Sequence, residues 1–327
     1  MNKKEILILT GAGFGKDMGL PLENEIIRTG IEACKVLEPE LIEKLNEEWK
    51  LIDSVHSFEN YSFEQLLTKI MLEEQSIIRP YEERLKIFDI KLAILKILVN
   101  SLIKPLSKEL HIQYVQFLNL YKDCAYFATL NYDYLIAENI PWHYGIDFDQ
   151  VSPMGKNFYV KGEKRSFPNV FIYLKLHGSF NWHICPNCNT TRLTDLDCFG
   201  VSGELFSKSF FVQACTKCKS NNGQFDMQPL IVPPSLIKYY NSQIFLNLWF
   251  KFNQILKHVK KIIIIGCSIR DEDTVLISSL YNLVYKNPDL EEIVLINPDP
   301  EIQVKIKNYT KVNVRQIQSL ENFLGMH

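Results

Sequence analysis

The chain has almost no excess of either charge. Its 36 Lys and Arg stand against 38 Asp and Glu, a formal net charge of −2 over 327 residues. That balance excludes a sequence-wide polyanion binder, and direct nucleic-acid binding is not indicated. Glycine and proline are scarce at 14 each, which excludes a collagen-like or linker-dominated chain. Long apolar runs are missing too: no segment approaches the ~20 uninterrupted apolar residues of a spanning helix, so no membrane association is expected. The opening Met1-Asn2-Lys3-Lys4-Glu5 followed by Ile6–Leu9 has the basic start of a signal peptide. Its apolar run is too short, however, and leads into Gly11-Ala12-Gly13 where a cleavage region would stand. A small secreted disulfide framework is likewise absent. Of the eight cysteines, Cys185, Cys188, Cys215 and Cys218 form two C-x-x-C pairs and Cys34, Cys124, Cys198 and Cys267 are scattered. The pattern predicts a reduced, cytoplasmic protein with one metal site.

What is present is globular. Hydrophobic residues make up 46% and charged residues 23%, and 20 Phe and 15 Tyr promise a filled core or aromatic-walled clefts. Three short β-branched runs stand out: Ile6–Leu9, Ile262–Ile265 and Ile293–Ile296. Continuous apolar runs of this length, each bounded by Gly, Asn or Pro, read as strands buried on both faces of a parallel sheet. Tyr126–Leu130, Val170–Leu176 and Val312–Ile317 are further candidate strands. Between the first two in chain order lies a block with apolar residues at helical spacing over Glu23–Leu37, Pro39–Leu51, Ser62–Glu74, Tyr81–Leu102 and Ser107–Leu120. It is too long for a simple crossover and predicts a helical insertion over 23–120. Helices are also predicted over Ser242–His258 and Glu272–Tyr285. The expected fold class is α/β, a Rossmann-like parallel sheet filling 1–327, carrying the helical insertion and a small zinc-ribbon insertion over 183–228.

The cysteine pairs carry their own chemistry. Two C-x-x-C turns can wrap one tetrahedral ion, each supplying two thiolates. The spacer between Cys188 and Cys215 exceeds the common fifteen to twenty residues, and a hairpin insertion accommodates it. A redox dithiol needs only one pair. Cys185, Cys188, Cys215 and Cys218 are therefore expected to hold a structural Zn²⁺, leaving no open coordination position for catalysis, with Cys198 a less favoured substitute.

The first candidate strand runs into Thr10-Gly11-Ala12-Gly13-Phe14-Gly15-Lys16-Asp17-Met18-Gly19-Leu20-Pro21. A Gly-rich turn after a strand lets backbone N–H groups approach phosphate, although Lys16 departs from G-x-G-x-x-G and a tight turn without ligand is the plain alternative. The run resembles the opening of the sirtuin family, G-A-G followed by G-[IL]-P. Asn131-Tyr132-Asp133 resembles that family's N-[IY]-D, Leu176-His177-Gly178-Ser179 its H-G, and Gly266-Cys267-Ser268 and Asn297 its two late cofactor segments. The order of motifs agrees from residue 6 to residue 299, with the C-x-x-C pairs in between. His177-Gly178-Ser179-Phe180-Asn181-Trp182 and Ser268-Ile269-Arg270-Asp271-Glu272-Asp273 look like the bacterial sirtuin-like proteins of anti-phage defence, which typically hydrolyse NAD. The Asp-Phe-Arg and Phe-Gly-Glu segments of protein deacylases are missing. Leu22-Glu23-Asn24-Glu25 and Pro229–Ser235 stand in their places.

The resemblance implies NAD as substrate. Cleaving its glycosidic bond passes through an oxocarbenium-like sugar that must be oriented, stabilised and met by a nucleophile. Asn131 is expected to position the reacting centre, His177 to act as general base, and Asp133 to hold the nicotinamide-side ribose or carboxamide. Gly11, Ala12 and Gly13 are expected along the pyrophosphate, with Phe14 and Asp17 further along the loop. Gly266 and Ser268 are expected at phosphate or adenosine ribose, and Asn297 at ribose hydroxyls. Each has a plain structural alternative: Asn131 caps a helix over Tyr132–Asn139, Asp133 is a first-turn acid, His177 is a loop histidine, and Ser268 is an N-cap, with Asp271 the nearer cap. Arg270-Asp271-Glu272-Asp273 reads as the solvated start of a helix, and His183 and His143 read as structural.

The leading expectation is an NAD⁺ glycohydrolase that depletes NAD in anti-phage defence. A protein deacylase, an ADP-ribosyl transferase and a non-catalytic NAD- or ADP-ribose-binding subunit are the alternatives. Unregulated hydrolysis would poison its host, and Gln316–His327 is too short for a further sensor domain. Control is therefore expected from homo-oligomerisation, with 23–120 as its surface, or from a separate regulatory protein such as a defence-system sensor or ATPase.

Overall fold

A computed structural model of the chain describes residues 4–16, 19–74, 76, 79–102, 108–133, 135–136, 144–147, 158–160, 163–165, 169–185, 188, 191–193, 213–215, 226–232, 243–271 and 273–326. The Ile6–Leu9 run forms β1 (Ile6–Thr10) and passes directly into the short α1 (Ala12–Lys16). Four helices follow: α2 (Glu23–Leu37), α3 (Pro39–Trp49), α4 (Phe63–Glu74) and α5 (Tyr81–Leu102). Next come α6 (Lys108–Tyr121) and β2 (Ala125–Thr129). Strand β3 (Tyr144–Asp147), the hairpin of β4 (Phe158–Val160) and β5 (Glu163–Arg165), and β6 (Asn169–Lys175) continue the chain. Strands β7 (Gly178–Ile184), β8 (Thr191–Leu193), β9 (Gln213–Ala214) and β10 (Asp226–Ile231) lead to α7 (Gln243–Leu256). The last part alternates as β11 (Lys261–Ile265), α8 (Thr274–Lys286), β12 (Glu292–Ile296), α9 (Pro300–Tyr309), β13 (Asn313–Ile317) and α10 (Leu320–Leu324).

The main sheet has seven strands in the order β13-β12-β11-β1-β2-β6-β3, and every neighbouring pair is parallel. The fold class is therefore α/β with a Rossmann-like parallel sheet, as the apolar runs predict. Leu7, Ile8 and Leu9 are all buried, as are Ile262 to Ile265 and Ile293 to Ile296, so these strands are covered on both faces. Strand β1 is flanked by β2 on one side and β11 on the other. The chain leaves β1 toward β2 and returns to its far side only with β11, which makes the β1/β11 boundary a topological switch point, where open α/β sheets hold ligands beyond their carboxyl ends.

Helices α2 to α5 enclose a second hydrophobic core around Trp49, Phe58, Phe63, Leu66, Ile94 and Ile97. Helix α6 instead contributes Tyr114, Phe117, Leu118 and Tyr121 to the core of the sheet. Tyr132 belongs to the helical core, meeting Phe63 edge-on with ring centroids 6.1 Å apart, so the segment leaving β2 is built into both bodies. The four strands β8-β7-β10-β9 make a small antiparallel sheet that carries Cys185, Cys188 and Cys215. This sheet extends beyond the insertion expected over 183–228, from Gly178 to Ile231. Glu272–Tyr285 is corrected as well: the helix begins at Thr274, after Asp273 in the N-cap position, so neither Asp271 nor Ser268 caps it. Among the described residues no helix is long and apolar enough to cross a membrane.

Candidate active site

A cavity of about 560 Å³ opens at the carboxyl ends of the parallel strands, between the sheet and the helical core. It gathers Gly11, Ala12, Gly13 and Phe14 after β1, Asn131 and Asp133 after β2, His177 after β6, Gly266 and Ser268 after β11, and Asn297 after β12. Residues distant in sequence thus share one space. Asp17 and Cys218 lie outside the described residues, as do His143, Cys198 and half of Tyr132–Asn139.

The glycine loop is shaped by a neighbouring loop. Gly11 N–H donates to the Ile265 carbonyl and Gly13 N–H to that of Gly266, each at 2.9 Å. A Cβ on Gly13 would lie 2.7 Å from Gly266 Cα, and one on Gly11 would lie 2.7 Å from the Gly266 oxygen. These glycines are needed for close contact between two backbones, and the expectation that the amides of Gly11 and Gly13 face phosphate is corrected: both are committed within the protein. Phe14 is likewise more wall than ligand contact. Its ring packs on Tyr114, with centroids 4.5 Å apart, and on Phe117 at 5.9 Å.

The Asn131–Asp133 segment is pinned residue by residue. Asn131 N–H donates to Thr129 Oγ1 at 3.1 Å, and that hydroxyl is itself hydrogen-bonded to Thr10 Oγ1 at 2.9 Å. Ser179 Oγ donates to the Tyr132 carbonyl at 3.2 Å, and Tyr132 Oη donates to the Val232 carbonyl at 3.0 Å. The Lys175 ammonium donates to the Asp133 carbonyl. Asn131 does not act as the predicted cap. Its Nδ2 donates to the Gly11 carbonyl at 2.9 Å, which ties the β2 loop to the glycine loop and leaves Oδ1 to accept from water or a hydroxyl. Asp133 plays its plain structural part as well, its Oδ1 accepting the Leu135 amide at 3.0 Å.

His177 is 2% exposed, and its Nε2 lies 3.9 Å from Asp273 Oδ1. Gly178 follows it with φ of 84°, and a Cβ there would lie 2.1 Å from the Leu230 oxygen, so this glycine answers to the β7–β10 contact. Asn297 is mostly occupied: Nδ2 donates to the Cys267 carbonyl at 3.0 Å and Oδ1 accepts Asp299 N–H at 2.9 Å. The expected ribose contact there is thus secondary to tying the β11 and β12 loops together. Ser268 is exposed and lines the cavity.

Three participants escaped sequence reasoning. Arg270 and Asp273, expected in the solvated start of a helix, both line the cavity, and Asp273 is buried. Arg270 pairs with the carboxylates of Glu23 and Glu64 across the cavity. Between Ser268 and Arg270, Ile269 holds φ of 47°, a costly conformation for a β-branched residue that turns the loop in the cavity wall. Lys175 is fully buried, and burial lowers its ammonium pKa to about 8 against the opposing pull of Asp133. Cys267 also lines the cavity, but burial and then the Asp273 charge push its thiol well above the ordinary range, so it is not a thiolate nucleophile.

At the zinc-ribbon position, Cys185, Cys188 and Cys215 bring their sulfurs within 4.8 Å of one another, with Cys188 and Cys215 Sγ 3.6 Å apart. Zinc–thiolate bonds of ~2.3 Å at tetrahedral angles require sulfurs about 3.8 Å apart, so the three residues fit one such ion.

Fold and cavity together define an open α/β sheet with a cavity at its switch point. No protein-family profile and no curated protein sequence matches the chain. Among solved structures it is similar to a Sir2 homologue, a mutant in complex with 2′-O-acetyl ADP ribose. That likeness has 13% identity and a TM-score of 0.44 and covers 98% of this chain and 89% of the other.

Proposed function

We propose that the chain is an NAD⁺ glycohydrolase, releasing nicotinamide and ADP-ribose. The observation that carries this reading is the convergence of Asn131, Asp133 and His177 with the Gly11–Phe14 loop on one cavity at the switch point. The cavity's charges suit this substrate. Asp133, Asp273 and the other acidic lining residues can favour the cationic nicotinamide and the oxocarbenium that follows it, and Lys16 is a cation available to the anionic pyrophosphate. In hydrolysis the C–N bond breaks with its electron pair leaving on nicotinamide. Water adds to the anomeric carbon, and its proton passes to His177. Asn131 Oδ1 accepts from that water or from a ribose hydroxyl, and Asp133 stabilises the positive sugar.

A role in NAD depletion during anti-phage defence follows from the motif resemblance. So does control by a partner or by self-assembly, since a constantly active enzyme would harm its host. The test is nicotinamide release from NAD by the purified protein, with His177→Ala and Asn131→Ala beside it. Release of ADP-ribose without any peptide, lost in both variants, supports the reading. Turnover only with an acylated peptide points to a deacylase, and binding without turnover to a sensor or subunit. Unchanged activity in both variants overturns the site.

A further inference from the structure

We propose that Asp273 is a positioning residue for His177, fixing the orientation of its imidazole as the ring takes a proton. The inference rests on His177 being the base of the NAD-cleaving site, and it names the group that makes the imidazole one.

Both side chains are withdrawn from solvent, at 2% and 5% exposure, and both line the cavity. Asp273 occupies the N-cap position of α8, where a carboxylate ordinarily accepts a first-turn amide, but it makes no side-chain cap hydrogen bond. Its backbone serves the helix start instead: its N–H donates to the Arg270 carbonyl and its carbonyl accepts Ile277 N–H, both at 2.9 Å. The carboxylate turns toward the imidazole, with Oδ1 3.9 Å from Nε2. That separation closes by a small side-chain adjustment, as hydrogen bonds of ligand-free sites commonly do. The Trp249 ring of α7 lies 6.3 Å from the imidazole at 48°, an apolar wall that limits ring rotation.

Other charged groups surround the pair. Asp133 comes from the β2 loop, Arg270 from the same loop as Asp273, and Lys16, Glu23, Glu64 and Asp299 from the remaining walls, with Lys175 of β6 behind Asp133. Lys175 is turned to Asp133, and Arg270 to Glu23 and Glu64. The Asp273 charge therefore acts on His177 in the direction that favours imidazolium, and it orients the ring that accepts the proton.

The experiment compares wild type, Asp273→Asn and Asp273→Glu in two measurements. One is NAD hydrolysis from about pH 5 to about pH 9. The other is the NMR titration of His177 in ¹⁵N-histidine-labelled protein without NAD. For Asp273→Asn the expected result is a kcat lower by about 10- to 100-fold, with KM for NAD within about twofold. The acidic limb of the profile and the His177 titration should both move down by about one pH unit, and Asp273→Glu should recover part of kcat. An unmoved His177 titration overturns the proposal. So does a loss of activity that only follows a loss of folded protein, with Glu no better than Asn. If wild type releases no nicotinamide, the hydrolase reading fails, and the NMR titration still decides the pair.

Discussion

Arg270 Nη1 donates to both carboxylate oxygens of Glu64 at 2.8 Å, joining the loop after β11 to helix α4 across the mouth of the cavity. The Glu23 carboxylate at the start of α2 takes the other side of the guanidinium. The side chains are partly buried, with Arg270 at 32% and Glu64 at 15% exposure, so the pairing is less screened than a surface ion pair. Glu64→Gln keeps the shape and one acceptor but removes a charge-assisted bond. It should cost about 1–2 kcal/mol in denaturant unfolding. The same change in a purely exposed pair would be within error, so an unchanged midpoint would show that the clamp carries no stability.

Lys175 predicts a pH dependence. Its folded pKa is about 8, lowered from 10.5 by burial. Below pH 8 the amine is charged in both folded and unfolded chains. Between the two values the unfolded chain holds a proton that the folded one has released, so stability rises with pH across this window. At about 1.4 kcal/mol per unit, the gain from pH 8 to pH 9.5 is about 2 kcal/mol. Lys175→Met removes the titration. The stability difference between wild type and variant should therefore shift toward wild type by about that amount over the window, measured by urea unfolding at several pH values. A constant difference would place the Lys175 titration elsewhere.

The parts of the molecule legible in sequence are those where one physical demand acts alone. The Ile262–Ile265 run needs burial on both faces and nothing else, and it becomes a central strand. The small antiparallel sheet was not legible, because β7 reads Gly-Ser-Phe-Asn-Trp-His-Ile and buries Trp182 and His183 along with Ser179. Ser179 is held by the distant Tyr132 carbonyl, a contact that no periodicity records. In the site, Gly11, Asn131 and His177 could be found through the order of their motifs. Asp273 could not, because it closes a charged run in which Asp271 is solvent-exposed and nothing in the spacing marks which member turns inward. Lys175 ends an apolar strand, and only the fold shows that its amine stays inside to meet the Asp133 carbonyl.

The thiol cluster predicts a separable structural metal. Chelation, or Cys188→Ser, should release zinc and lower the melting temperature, because binding energy at such a site is folding energy. We expect one zinc per chain in elemental analysis of the intact protein, with Cys218 as its fourth ligand. Three thiolates already converge, and the cluster lies on the antiparallel sheet, outside the residues that line the cavity. Per folded molecule, nicotinamide release should therefore be unchanged at temperatures below the lowered transition. A loss of kcat ahead of unfolding would give the metal a direct part in the chemistry.

Gly266 and Gly19 offer a matched pair for testing the glycine loop. Both hold positive φ, 61° and 83°, so alanine at either pays a left-handed backbone cost of about 1 kcal/mol. Their surroundings differ. A Cβ on Gly19 meets nothing within 4 Å, whereas one on Gly266 would lie 2.4 Å from both the Gly13 carbonyl carbon and Phe14 N. The neighbours are backbone and cannot swing aside, so Gly266→Ala must push the β1 and β11 loops apart. Gly19→Ala should lower stability by only that backbone cost and leave NAD affinity within about twofold. Gly266→Ala should cost at least about 3 kcal/mol and weaken NAD binding by more than tenfold, because the displaced loops carry Ala12 and Ser268 at the cavity wall. Calorimetric titration of NAD into His177→Ala, with and without each glycine change, reads the affinity without turnover. Equal behaviour of the two variants would mean that the contact between Gly13 and Gly266 does not shape the site.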